Sequence, residues 1–306
     1  MYSITEITTN DEIEQLGTKE KFWFYDTTGK KLFKVGRKNT GENWAEKVAY
    51  ELATLLNLPC AKYNFAQWGD KIGTISTSFV PDDSGLVHGN ELLMKLYKSI
   101  NASYPKDQFY KVTAYKLSMV LYLLNKIDIQ LPISFNNEPP IQTATDVFIG
   151  YLVFDCWISN QDRHHENWGI IWQPLKQLVF LAPTYDHASG LGCKVSEVVA
   201  ENRLKTKDDG YSVRAYVNKA KTPFYSLDNK LLKTIQTVQL CFSKHQTVTT
   251  YWINKIESIK SEQLDAIFNN IPNHLIGKYQ KKFASQLLME NKMRLESIIT
   301  GNRHGQ

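Results

Sequence analysis

The chain has 306 residues, 42% hydrophobic and 22% charged, with aromatic residues spread along its length. That profile excludes a disordered or low-complexity chain and leaves room for one two-lobed unit or two small domains. A formal charge of +5, from 36 basic and 31 acidic residues, suits an anionic ligand but falls short of the footprint of a protein whose primary ligand is nucleic acid.

Met1 to Asp11 is polar and acidic and lacks the basic and apolar regions of a signal peptide. Lys21–Tyr25 and Lys31–Val35 are short aromatic and β-favouring runs around a turn-forming cluster, which predicts a β-hairpin. Asn43–Asn57 spaces Ala45, Val48, Ala49, Leu52, Leu55 and Leu56 as one face of a helix that stops before Pro59. Ala61–Trp68 and Ile72–Val80 flank Gly69-Asp70-Lys71 as a second hairpin, and Pro81 to Gly85 break the pattern. Helices are expected at Tyr110–Lys126, at Ala144–Ser159, which is apolar nearly all round, and at Leu275–Ile299. The most apolar stretch, Val147–Ile158, is shorter than the ~20 residues of a bilayer span. Cys60, Cys156, Cys193 and Cys241 lie far apart with no C-x-x-C pair, so neither a zinc site nor a disulfide framework is expected and the setting reads as cytoplasmic.

A polar loop, Ser159 to Trp168, follows the apolar helix and precedes a strand-like run. Asp162 and Asn167 stand five positions apart within it, the interval between the catalytic aspartate and the metal-binding asparagine of kinase catalytic loops. Such a loop lets one carboxylate face an attacking hydroxyl while an amide oxygen turns to a hard cation. Two short strands, Gly169–Trp172 and Gln177–Leu181, then lead to Asp186, placed at a strand end where it could be presented to Mg²⁺.

Together, Asp162-x-His164-x-x-Asn167 and Ala182-Pro183-x-Tyr185-Asp186 resemble the motifs of HipA-like serine/threonine kinases. The resemblance implies a protein-kinase-like α+β fold, a small β-rich lobe over residues 1–85 and a larger helical lobe over 86–306, using ATP and Mg²⁺. It implies Asp162 as catalytic base, His164 as a brace of the loop, and Asn167 and Asp186 as metal ligands. Gly17-Thr18-Lys19-Glu20-Lys21 resembles the family's Gly-x-x-Glu-Lys phosphate loop. Lys34, between apolar neighbours in a predicted strand, takes the place of the phosphate-binding lysine, with Glu46 as its ion-pair partner, and Phe79-Val80 falls where an adenine-binding hinge belongs. Because the phosphate loop begins by residue 17, a compact member without the longer N-terminal subdomain is expected. A protein substrate follows, with autophosphorylation and an antitoxin-like regulator as further expectations of the family.

Plainer readings stand beside these. Asp162-Arg163-His164 reads alone as a charged loop ending a helix, with Arg163 solvated; Lys34 as a solvent-facing strand lysine; and Glu46, with Glu42 and Glu51, as the wet side of its helix. The basic stretch Lys194–Lys221 reads as an activation segment or a solvated loop, with Ser196, Thr206, Ser212 and Thr222 as unranked phosphate acceptors. The rival functions are a phosphoinositide kinase, a small-molecule phosphotransferase, and a nucleotide-binding module without transferase activity.

Overall fold

The computed structural model describes residues 1–8, 12–13, 20–105 and 111–301. The chain opens with β1 (Ile4–Ile7), β2 (Glu12–Ile13), β3 (Lys21–Asp26), β4 (Gly29–Val35), α1 (Glu42–Leu55), β5 (Tyr63–Trp68) and β6 (Lys71–Thr77). β7 (Gly85–His88), α2 (Gly89–Ser99), α3 (Leu117–Lys126), α4 (Ala144–Trp157), β8 (Gly169–Gln173) and β9 (Leu178–Leu181) follow. Then come α5 (Glu197–Lys205), α6 (Val213–Lys219), β10 (Lys221–Tyr225), β11 (Leu231–Lys233), α7 (Thr234–Lys244), α8 (Gln246–Ser258), α9 (Ser261–Asn269) and α10 (Lys278–Gly301). Two compact units result, one of Met1–Phe79, Asp186–Asn218 and Ser258–Asn291, the other of Val80–Tyr185, Lys219–Glu257 and Lys292–Gln306.

In the first unit a six-stranded sheet runs β1-β5-β6-β4-β3-β2. Alternation along β3 and β4 sends Phe22, Phe24 and Phe33 into a core shared with Ile7, Ala66 and Ile75. Each such aromatic contributes about 1.5–3 kcal/mol by leaving water. The strand expected to continue to Val80 ends at Thr77, the last residue in register with β4, and only Ser78 N carries the pairing further, to Lys30 O at 2.9 Å. β1, read from sequence as plain polar terminus, pairs parallel with β5, and Tyr2 N donates to Asn270 O at 2.6 Å. Helix α1 packs Trp44, Ala45, Val48, Ala49 and Leu52 inward, lies against β5 and β6, and ends before Asn57, whose φ of 53° leaves the helical region. The stretch after Asp186 corrects the solvated-loop reading: α5 and α6 occupy most of it.

The second unit is helical around α4, which is buried along nearly its whole length and packs against α3 and α7. Thr143 and Asp146 cap it reciprocally, each side chain accepting from the other's amide. Strands β7, β8 and β9 form a small antiparallel sheet, in which β7 was not foreseen. The helix expected from Tyr110 begins at Leu117; Tyr110 lies outside the described residues, Lys111 has φ 59°, and Lys116 is extended and bridged to Tyr225. That bridge takes the backbone groups a longer helix would need. Among the described residues no helix is long and apolar enough to cross a membrane.

Candidate functional site

In the second unit, α4 ends where Ser159 turns left-handed at φ 52°, and the loop to Trp168 is held by one buried ion pair. Asp155, on the last turn of α4, receives Arg163 through Nε at 2.7 Å and Nη2 at 2.8 Å, and Asn160 Nδ2 at 2.8 Å. Arg163 is 1% exposed, which overturns its reading as a solvated residue. Burial would discharge the guanidinium, and the facing Asp155 outweighs it, holding the group firmly charged. Its Nη1 donates to Asn167 O at 2.5 Å and, at 3.4 Å, to Tyr185 O, so one side chain spans the loop and the residue before Asp186.

Within the loop, Asn167 Nδ2 donates to Asp162 O at 2.6 Å, which leaves Oδ1 as the atom available to a cation. His164 N also donates to Asp162 O, at 2.8 Å, and His164 Nδ1 accepts from Glu166 N at 3.2 Å, so the imidazole closes a turn inside the loop. Asn167 is buried, whereas Asp162 and His164 are half-buried. From below, Asn90 N donates to His165 O at 2.9 Å and Asn90 Nδ2 to Glu166 Oε1 at 3.1 Å. His88 Nδ1 lies 2.9 Å from Glu166 O and 3.0 Å from the Tyr185 hydroxyl. Tyr185 OH donates to the same carbonyl at 2.8 Å. The approach is close because Gly89 has no Cβ: one built there would lie 2.2 Å from the Trp168 ring.

The first unit gathers Lys34, Glu46 and Asp186. Lys34 Nζ is 3.6 Å from Asp186 Oδ2, and its side chain is 14% exposed, so it is no ordinary surface lysine. Burial alone would lower its pKa, but the charges of Asp186 and Glu46 prevail and raise it, keeping the ammonium protonated. Glu46 is 2% exposed, which removes it from the wet side of α1. Its Oε1 accepts from His187 N at 2.8 Å and reaches Lys34 through its charge. Glu42, also 2% exposed, leaves the wet side as well and binds Arg37 Nη1 at 2.6 Å, whereas half-buried Glu51 binds Lys47 at 2.5 Å. Asp186 itself sits at φ 58°, a left-handed conformation costing a non-glycine residue on the order of 1–3 kcal/mol. Its N–H meets the phenol oxygen of Tyr63 at 3.2 Å.

Of the other sequence-predicted residues, Gly17, Thr18 and Lys19 lie outside the described residues. Lys21 begins β3 directly opposite Lys34 in register. Phe79 and Val80 are half-buried and irregular, just past β6. Sequence reasoning missed Arg163 as a buried anchor, and Tyr63. For Arg163 a signal existed: Asp155 interrupts an otherwise apolar helix, and a buried carboxylate demands a partner. Tyr63 has no such local signal.

No family model matches the chain, and no curated protein sequence matches it. In fold it is similar to the Helicobacter pylori proinflammatory kinase CtkA, with a TM-score of 0.75 at 20% identity over 97% of this chain and 98% of that one. It is also similar to HipA of Shewanella oneidensis MR-1, from a toxin-antitoxin complex with HipB and operator DNA, with a TM-score of 0.55 at 13% identity over 96% of this chain and 67% of that one. The chain therefore has the α+β fold of protein-kinase-type phosphotransferases. The likeness to HipA is the one that the motifs around Asp162 and Asp186 led one to expect.

Proposed function

We propose that the chain is an ATP- and Mg²⁺-dependent kinase that transfers the γ-phosphate to Ser or Thr hydroxyls of a protein. The observation that supports this best is the pairing of Lys34 with Asp186 beside buried Glu46, residues brought together from distant parts of the chain. A protein that only packed well would gain little from gathering three charges with one of them, Glu46, fully enclosed.

Catalysis of this kind is mainly positioning and electrostatics. Asp162 orients the acceptor hydroxyl and takes its proton, while His164 and Asn167 fix the loop that carries it. Lys34 holds the nucleotide phosphates, with Lys21 and the Gly17, Thr18 and Lys19 loop assigned to them from sequence. Phe79 and Val80 are assigned the adenine. Asn167 and Asp186 are the ligands assigned to Mg²⁺, and their donors fit it: a carboxylate and an amide oxygen, completed by phosphate oxygens, suit a hard cation that takes few protein ligands. When bound, the metal offsets charge that develops on the transferring group. A HipB-like regulator is the partner that the likeness to HipA brings into this reading.

The test is transfer of labelled phosphate from ATP with Mg²⁺ to the protein itself, to a generic protein acceptor and to phosphoinositide vesicles. Wild type is expected to label Ser or Thr, and Asp162→Ala to lower the rate by about 10²–10⁴-fold while still binding ATP. Asp186→Ala is expected to lose transfer at ordinary Mg²⁺ concentrations. Label on lipid alone moves the activity to the phosphoinositide kinases. Bound ATP with no labelled acceptor favours a nucleotide-binding module, and failure to bind ATP overturns the proposal.

A further inference from the structure

Two consecutive backbone amides at Asp186 and His187 are each received by a buried side chain from a different element of the first unit. Asp186 N–H meets Tyr63 Oη at 3.2 Å, from the first residue of β5, and His187 N–H meets Glu46 Oε1 at 2.8 Å, from α1. Between these two bonds the backbone takes the left-handed turn at Asp186, φ 58°. From β4, Lys34 Nζ reaches the Asp186 carboxylate at 3.6 Å. A phenylalanine would fill the same space as Tyr63, which is 2% exposed; only the oxygen adds a partner for the strained amide. A buried hydroxyl is costly unless it is bonded, so its presence there needs a bond to explain it.

We propose that Tyr63 is a positioning residue for Asp186: its phenol oxygen, with the Glu46 carboxylate one amide further on, fixes the left-handed turn that aims the Asp186 carboxylate at a divalent cation. The proposal rests on the reading of Asp186 as a metal ligand. Tyr63 presents the Asp186 amide with a phenol oxygen held in place by the packed core around its ring. It acts by geometry and not by charge. Substituting it therefore alters where the carboxylate points without removing a cation ligand.

Mn²⁺ is a suitable probe, because the free ion is read directly by electron paramagnetic resonance and no turnover is needed. The full chain is titrated with Mn²⁺ in the presence of a non-hydrolysable ATP analogue, as wild type, Tyr63→Phe and Asp186→Asn, with thermal melts alongside. Groups that orient a metal ligand are worth about tenfold or more in metal affinity, so Tyr63→Phe is expected to weaken Mn²⁺ by about that factor and Asp186→Asn to abolish the site. If Tyr63→Phe binds Mn²⁺ like wild type while Asp186→Asn does not, Tyr63 is only core packing, and the reading of Asp186 survives without it. If wild type and Asp186→Asn bind alike, Asp186 is no metal ligand and both ideas fall. Hydrogen exchange on wild type decides the case even if Tyr63→Phe folds poorly: a protected Asp186 amide supports the clamp, and rapid exchange there overturns it.

Discussion

Asp155 and Arg163 show how much of the site depends on a single buried pair. The guanidinium binds Asp155 with two nitrogens and still reaches the carbonyls of Asn167 and Tyr185, so it ties together α4, the loop that follows it and the residue before Asp186. Removing one partner strands the other charge in the interior. Asp155→Ala is therefore expected to cost about 3–5 kcal/mol in urea unfolding, whereas the paired change Asp155→Leu with Arg163→Met costs much less. Phosphate transfer is expected to stay lost in the paired variant, because the carbonyls of Asn167 and Tyr185 lose their donor in either case. A double variant as unstable as Asp155→Ala would show that packing around the pair matters more than its charges. The residue types at Asp162, Asn167 and Asp186 were legible because their spacing lies in the sequence itself; the burial of Arg163 was not, because a charged tripeptide after a helix looks alike whether solvated or enclosed.

At the scale of elements, α5 and α10 meet through one carboxylate. Glu197, in the first turn of α5, accepts from Tyr279 N at 2.9 Å and Gln280 N at 3.0 Å, satisfying amides that the start of α10 cannot pair internally. Gly277 is required beside it, since an added Cβ would stand 2.1 Å from Glu197 Oε2. Glu197→Ala is expected to cost about 1–2 kcal/mol, as the loss of a strong cap does, and Gly277→Ala a similar amount by displacing the same carboxylate. Combined, the two should cost clearly less than their sum, because the second change finds the cap already gone. Additive losses in thermal unfolding would mean that Gly277 acts through its own backbone. The long helix that carries this contact was evident from its periodicity over Leu275–Ile299, and the early hairpins from their turn residues. The start of α3 was not, because Val112 and Tyr115 continue a helical spacing while the Tyr115 carbonyl is taken by Tyr225 N.

For the whole molecule, a ligand that binds only the folded chain adds stability by mass action, about 2.7 kcal/mol at a hundredfold excess over Kd. Mg²⁺ with ATP is therefore expected to raise the midpoint of thermal unfolding by a few degrees in wild type, and markedly less in Lys34→Met, which keeps the length of the side chain but not its charge. Equal shifts in the two proteins would remove Lys34 from nucleotide binding. The sequence by itself determined the β-rich start, the apolar central helix and the loop that carries Asp162 and Asn167, because turn chemistry, periodicity and short spacings are local properties of a chain. It also ordered the motifs well enough to resemble a kinase family. Only the tertiary structure decided that Tyr63 and Glu46, 123 and 141 positions away from the amides they receive, converge on Asp186 and His187, and that β1 joins the sheet beside β5. Contacts at that distance are set by how elements pack once their apolar faces are buried, and a residue's immediate neighbours in sequence carry no trace of them.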